Sequence, residues 1–404
     1  MRYIYFLILL CSLFISCNKS DLSFPPDNQI LSEDAIQDAD DLQQLLNSAY
    51  DVLANTYNGN CQNLKTLLAD NIAAPLNNYD YMEIYNRNTL YFNGTIGEYY
   101  KQPYIAIYRC NYLIENIDLV ESLTTGVANR LIAEAKFIRA LCHYDLVNLF
   151  AHPFGYTLDN SHDGIIIKNS TDPSPLPRNT VKEVYDFILS DLQYASDNLP
   201  TSNGNYASKY SVDALLAHVN FQMNNLDDAL SNCNSIINSG QFILDNDSLF
   251  LDRYRSSSNL EMIFGTISTS NFDIRSSGFT NNYRSDVNDN PTLRSSSLIY
   301  DMINEFGIDL DRRSAWFELK NIGLENEFVA IKKFNKDYFN VPIFHLTQIY
   351  LLRAEILTRL GNLSQATEDI NKIISRAYIN ASQIVNSSLN NQELLDIIKR
   401  EIMK

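Results

Sequence analysis

Leu131-Ile-Ala-Glu-Ala-Lys-Phe-Ile-Arg-Ala-Leu-Cys-His-Tyr-Asp-Leu-Val-Asn-Leu-Phe150, followed by Ala151-His-Pro-Phe-Gly155, is the helix around which the chain has to be arranged. Leu131, Ala135, Ile138, Cys142, Leu146 and Leu149 recur at steps of three and four, so they share one stripe of an α-helix. Phe137, Leu141 and Tyr144 make a second stripe about a third of a turn away. Only the sector of Lys136, Arg139 and His143 is left polar, and so wide an apolar arc belongs to a helix with neighbours on several sides. Pro153 and Gly155 end it: one cannot continue a helix, the other accepts a left-handed turn.

Helical patterns lie on both sides. Ser32 to Ala54 places Leu42, Leu45, Leu46, Ala49, Tyr50 and Leu53 on one face, and Tyr104 to Ile117 is helical through Ile105, Tyr108 and Tyr112. Arg178 to Pro200 carries Val181, Val184, Tyr185, Ile188, Leu192, Ala195 and Leu199 in one register. Further on, Leu215-Leu-Ala217, Asn225-Leu226, Ala229, Asn234 and Ile236-Ile237 return as Leu352-Arg-Ala354, Asn362-Leu363, Ala366, Asn371 and Ile373-Ile374 in identical spacing. Each copy reads as a helical hairpin with alanines at the crossing and an asparagine at the turn, similar to a tetratricopeptide unit, which buries its apolar face only by stacking. The copies are far apart in the chain, so the expected architecture is mainly α: a helical scaffold with insertions rather than a continuous array.

Two stretches break this order. From Asp70 to Tyr100, polar amides crowd among tyrosines without helical or alternating pattern, which marks a candidate binding loop. From Leu251 to Val341, clusters of Ser, Asn and Asp punctuate an insertion in which Glu261 to Ile267 and Phe328 to Phe334 read as short strands. It holds the lone tryptophan, Trp316, readable equally as core or as a ligand platform.

The chain has 404 residues, with 31 Lys+Arg against 48 Asp+Glu and a formal charge of −17, which argues against nucleic acid or an anionic membrane surface as partner. Tyr 25 and Phe 20 against Trp 1 make its aromatic content unusually tyrosine-rich, suited either to core packing or to surfaces that need a flat apolar face and a hydroxyl together. Residues 1–16 have a basic start and an apolar run too short to span a bilayer, the build of a signal peptide. Ser16-Cys17 resembles the processing site of a bacterial lipoprotein, with Cys17 acylated and residues 17–30, including Pro25-Pro26, as a tether; an ordinary cleaved secretory peptide is the alternative. Beyond Cys11 and Cys17, the remaining cysteines, Cys61, Cys110, Cys142 and Cys233, lack zinc-like spacing and read as buried free thiols.

Glu134-Ala-Lys-Phe-Ile-Arg-Ala-Leu141, Leu146-Val-Asn-Leu-Phe150 and Phe154-Gly155 resemble the hallmark helix of the SusD/RagB family of outer-membrane nutrient-binding lipoproteins. Arg178, Val181, Val184, Tyr185, Ile188, Asp191, Leu192, Ala195, Leu199 and Pro200 match the family's next helix, and the two hairpins follow in order. Glu393 to Glu401 resembles the start of its last motif, whose aromatic, Arg-rich continuation does not precede Lys404; a truncated terminus and a lost packing piece both remain open. The resemblance implies residues 31–404 as a single SusD-like body, with helical scaffold at 31–250 and 342–404 and a loop-rich ligand face at 251–341. It also implies a lipid-anchored, cell-surface location and a SusC-like TonB-dependent transporter as partner. The ligand would be a glycan or a peptide, and the expected contact residues are Tyr79, Tyr81, Tyr85, Tyr91, Asn93 and Trp316. A helical-repeat scaffold on the outer membrane that binds a protein and no nutrient is the competing reading.

Enzymatic chemistry finds little support. Asp159-Asn-Ser-His-Asp-Gly164 copies the first half of a calcium loop, but Ser170 stands where the bidentate acid belongs, and the segment reads better as a hairpin after the hallmark helix. Glu134 and Asp145 read as structural acids, held by a neighbouring arginine such as Arg353 or by a helix terminus, and Asp309 and Asp311 as turn residues. The five histidines never pair at metal spacing, and no phosphate loop, nucleophile elbow or dinucleotide fingerprint occurs. No cofactor, metal or catalytic set is expected.

Overall fold

The structure, a computed structural model, describes residues 36–404 except 75–77, 271–272, 306–309, 380–384 and 387. The signal peptide, Cys17, the tether and Asp309 lie outside the described residues. In chain order the helices are α1 (Ala39–Thr56), α2 (Asn60–Leu68), α3 (Tyr79–Tyr85), α4 (Gly94–Asn116), α5 (Thr125–Phe150), α6 (Val181–Asn198), α7 (Lys209–Gln222), α8 (Leu226–Asn238), α9 (Asp247–Leu251), α10 (Ser277–Tyr283), α11 (Ser297–Asn304), α12 (Leu346–Arg359), α13 (Leu363–Ala377) and α14 (Asn391–Met403). Six short strands complete it: β1 (Ile72–Ala73), β2 (Met262–Thr266), β3 (Arg294–Ser295), β4 (Phe317–Lys320), β5 (Phe328–Ile331) and β6 (Val341–His345). The fold is mainly α, as the periodicities require.

Helix α5 sits at the centre, packed by α4, α6 and α1. Both apolar stripes are buried apart from half-buried Tyr144 and Leu149, and so is most of the sector read as polar. Arg139 forks onto Asp191 of α6 at 2.7 and 2.8 Å and donates to the Asn111 side chain of α4 at 2.6 Å, so its charge is neutralised inside the protein. His143 donates from Nδ1 to the Arg139 carbonyl at 2.8 Å and accepts the Lys168 amide at Nε2, a pairing that only the neutral ring can make. Burial accordingly lowers its pKa to about 4. Glu134 is buried as expected, but its partner is Arg130, one turn earlier at 2.5 Å, together with the Tyr50 hydroxyl at 2.7 Å. Arg353 is engaged elsewhere, which corrects that assignment. Arg178 secures the far end of α5 by donating to the Phe150 and Gly164 carbonyls, both at 2.6 Å.

The repeat folds as two hairpins, α7–α8 and α12–α13. Ala217, Ala229, Ala354 and Ala366 are fully buried at the crossings. The turns match closely: Asn225 and Asn362 have φ −83° and −84°, each preceded by a left-handed residue, Asn224 or Gly361. Although 137 positions separate the copies in sequence, α8 packs directly against α12. Arg353 clinches the contact, forking onto Asp369 of its own hairpin at 2.7 Å and reaching Asn234 of the other at 2.7 Å. In space the units stack as neighbours, and the insertion loops out between them.

The insertion has the two expected strands, but they do not pair with each other. β2 pairs antiparallel with β6, and β5 with β4, while β3 joins β1. The β2–β6 pair needs Gly265, because a Cβ there would lie 2.5 Å from the Val341 carbonyl. Cys61, Cys110, Cys142 and Cys233 are buried and unbridged.

Candidate ligand-binding site

Among its described residues, the segment read as one unpatterned loop, 70–100, holds β1, α3 and the start of α4. Two of the amides that gave it a loop-like character, Asn78 and Asn93, are helix N-caps. Asn78 accepts the Tyr81 amide and Asn93 the Ile96 amide, each at 3.0 Å, because an Asn side chain replaces the missing acceptor at a helix start. Tyr99 and Tyr100 therefore belong to α4.

This folding sorts the predicted contact residues. Tyr79 is 76% exposed and Tyr91 98%, and Phe92 beside it is 65% exposed with its ring edge-on to Tyr91 at 5.0 Å. Tyr85 is half-buried. Tyr81 and Asn93 are interior. The Tyr81 phenol is pushed above its usual pKa by burial, and the Asn93 amide donates to the Asp80 carbonyl at 3.1 Å and to Glu83 at 2.9 Å. Trp316 is 5% exposed and donates to the Leu251 carbonyl at 3.0 Å. Solvent thus meets Tyr79, Tyr91 and Phe92, while Tyr81, Asn93 and Trp316 are turned inward by their hydrogen bonds and by the area they bury.

The rim that carries the exposed rings is fastened from below. Arg87 adopts a left-handed backbone and its guanidinium donates to the Leu67, Leu68, Ile84 and Tyr85 carbonyls, which ends α2 and α3 together, and pairs with Asp70 at 2.8 Å. Asp80 accepts from the Thr95 amide at 2.9 Å. Rings on such a support lose little further freedom when a ligand stacks on them.

A second aromatic face was not singled out from the sequence. Tyr100, Tyr104, Tyr108 and Tyr112 run along α4 at steps of four, Tyr100 and Tyr104 with centroids 5.1 Å apart and Tyr108 and Tyr112 stacked at 6.4 Å. Beside them lies a groove of about 320 Å³ whose other wall is the 166–173 segment. Asn111 holds that wall by donating to the Lys168 and Ser170 carbonyls at 3.1 and 3.0 Å. The i, i+4 spacing was the available signal.

The acids considered for catalysis are occupied. Asp145 accepts from Lys65 at 2.6 Å and from the Tyr57 hydroxyl. Burial pushes its carboxyl up to about 7, which the Lys65 ammonium opposes. Glu134 and Asp145 are eleven positions apart on one helix, roughly 16 Å along its axis, beyond the span of a glycosidase pair. The end of the 159–164 segment pairs with residues 179–180, with Asp163 bridged antiparallel to Thr180 and the Gly164 amide donating to the Asn179 carbonyl at 2.7 Å. Among the described residues no three His, Cys, Asp or Glu side chains cluster as metal ligands, and no helix is long and apolar enough to cross a membrane.

A SusD-like family model, described as starch-binding associating with outer membrane, matches residues 22–221 of the chain, and the SusD family model matches residues 324–404. Two SusD-like proteins of Formosa agariphila are 26% and 27% identical over 57% and 60% of this chain. Those matches span less than half of the relatives' own length, 44% and 46%. A SusD superfamily protein of Bacteroides thetaiotaomicron superposes with TM-score 0.79 at 25% identity, covering 90% of this chain and 85% of that one. A SusD-like carbohydrate binding protein of Bacteroides vulgatus shares the fold with TM-score 0.75 at 18% identity, over 91% and 80% of the two chains.

Proposed function

The chain belongs to the SusD/RagB family, and on that premise we propose that it captures a glycan without covalent chemistry and delivers it to a SusC-like TonB-dependent transporter in the outer membrane. The observation that carries the reading is Tyr91, almost wholly exposed beside Phe92 on a rim locked by Arg87 and Asp80. Large rings are held in water only at a cost in apolar hydration, and a sugar ring stacked on them recovers it. Tyr79 and Tyr91 supply the stacking faces, with half-buried Tyr85 at the margin. Such contacts give modest affinity and fast release, which suits a protein that must hand its cargo on. Cys17 carries the lipid, and residues 17–30 join it to the body.

Glycan-array binding by the purified protein tests the capture step. A defined set of oligosaccharides should be retained, and Tyr91→Ala should weaken the best of them by about 5- to 30-fold, equivalent to roughly 1–2 kcal/mol. Retention of peptides with no glycan bound would transfer the assignment to peptide uptake. Cys17→Ser should release the protein from the membrane fraction, and co-purification with a transporter barrel should depend on the wild-type Cys17; a Cys17→Ser variant that still sediments with membranes overturns the anchor.

A further inference from the structure

A cavity of about 340 Å³ lies between the insertion and the helical scaffold, walled by the 250–254 segment, β6, the start of α12, Gln62 and Thr66 of α2 and residues 401–404, with Trp316 among its lining. Two cations in its wall lack an acidic partner among the described residues. Lys333 places its ammonium 5.3 Å from the Trp316 ring centre and 5.2 Å from that of Phe334. Arg253 lies over the same tryptophan at 5.9 Å, and its one side-chain hydrogen bond goes to the Thr347 hydroxyl at 3.2 Å. Neither has a carboxylate within ion-pair distance among the described residues. Arg376 also lines the cavity, paired with Glu261 but with its Nε unpartnered.

The two cations repel each other, both are only half-buried, and desolvation together with the Arg253 charge lowers Lys333 to about 8. His345, also in the wall, is kept neutral by burial and by the guanidiniums of Arg253, Arg376 and Arg255. The protein has 48 acidic side chains against 31 basic ones, so acids to neutralise this cavity were in ample supply. Glu401 also lines the cavity, but its carboxylate is taken by Arg313 and Lys404, so Lys333 and Arg253 keep a positive charge that is preorganised for an anionic oxygen group. Its volume admits a monosaccharide unit, and the aromatic wall suits a sugar ring.

We propose that this cavity binds a sugar unit carrying a carboxylate or a sulfate, with Lys333 and Arg253 as the anion contacts. The inference rests on the capture reading for its choice of a sugar, whereas the charge selectivity stands on the cavity alone. Because Trp316 is the only tryptophan, its fluorescence reports this site specifically. The purified protein is titrated with trigalacturonate, with glucose 6-sulfate and with neutral maltotriose, following fluorescence and heat.

A saturable fluorescence change with either charged sugar and none with maltotriose is the expected result, and which of the two acts names the source of the anion. Lys333→Met should weaken that binding at least tenfold while the thermal midpoint stays level or rises, because a partly desolvated charge with no acidic partner has been removed. Arg253→Met is run in parallel, and Lys333→Arg should restore binding. Equal response to neutral and charged sugars, no response to either charged sugar, or a Lys333→Met variant that binds like wild type overturns the proposal. So does loss of cooperative unfolding in both methionine variants, since the cations would then be structural. Glycan-array binding of neutral oligosaccharides and the charged-sugar titration read different residues, so failure of one reading is separable from failure of the other.

Discussion

Arg139 in the helical frame is a buried cation and Lys333 in the insertion a half-buried one, and their surroundings are opposite. Arg139 is pinned between Asp191 and Asn111 with ideal forked geometry. Lys333 has aromatic rings around it and no acid. The frame repeats the first solution: Arg353 with Asp369, Arg130 with Glu134 and Lys65 with Asp145 each close a buried carboxylate with a cation from a neighbouring turn or helix. Where charge is paired inside a helix bundle it fixes the register of packed elements, and removing one partner leaves a stranded charge. Where a cation is left unpaired beside a cavity, the stranded charge already exists, and a ligand is the natural means of relieving it. The difference separates side chains that hold the fold from side chains that are available for binding.

The sharpest way to break this distinction is Ile138→Asp. It places an unpaired carboxylate at the centre of α5, which should cost more than about 5 kcal/mol, a large part of a domain's whole stability. No cooperative thermal transition is expected; a folded variant that loses only ligand binding would make α5 part of the site. Next in size, Arg353→Met strands Asp369 and should cost about 3–5 kcal/mol in denaturant unfolding. The double variant with Asp369→Leu should recover most of that loss, and failure to recover would mean that the contact to Asn234 carries the stacking of the hairpins.

Acid should act through the frame as well. His143 and His218 are each lowered from 6.5 to about 4 by burial, His218 lying against the Phe344 ring. In this sign the unfolded chain takes up protons first, so their contribution is complete above about pH 6.5 and is lost as pH falls through the folded value near 4. Together they should cost on the order of a few kcal/mol over that window. Equilibrium unfolding at pH 7, 5.5 and 4 measures the decline, and His218→Phe should flatten it. The smallest expected effect on stability is that of Tyr91→Ala, within about 0.5 kcal/mol, because the ring is 98% exposed and meets only the exposed Phe92 ring beside it; a larger change would remove Tyr91 from the list of free surfaces.

Much of the frame was legible from spacing. The two stripes of α5, the apolar register of α6 and the identical residues of the two hairpins appear where periodicity put them, since each depends on neighbours three or four positions away. The boundaries of α1 and the nature of the 70–100 segment were less legible. Asp38, Asn78 and Asn93 have the composition of loops, yet each caps a helix, and composition alone does not distinguish a loop amide from a cap. The contact residues were the least legible. Tyr79, Tyr81 and Tyr85 lie on the same short helix, and whether a tyrosine faces Asn63 and Tyr99 or faces water depends on α2 and α4, not on its neighbours in sequence.

The amino-acid sequence by itself determined the helices, the repeat, the burial of α5 and the expectation of a tyrosine-bearing binding surface, because these follow from local periodicity and from the free energy of burying apolar stripes. Only the tertiary structure decided which charges are paired. Glu134 took Arg130 in place of Arg353, Arg353 joined two hairpins 137 positions apart, and Lys333 came to Trp316 without an acid. Ion pairing falls off over a few ångströms and is set by which elements meet in space, a quantity that no one-dimensional spacing records.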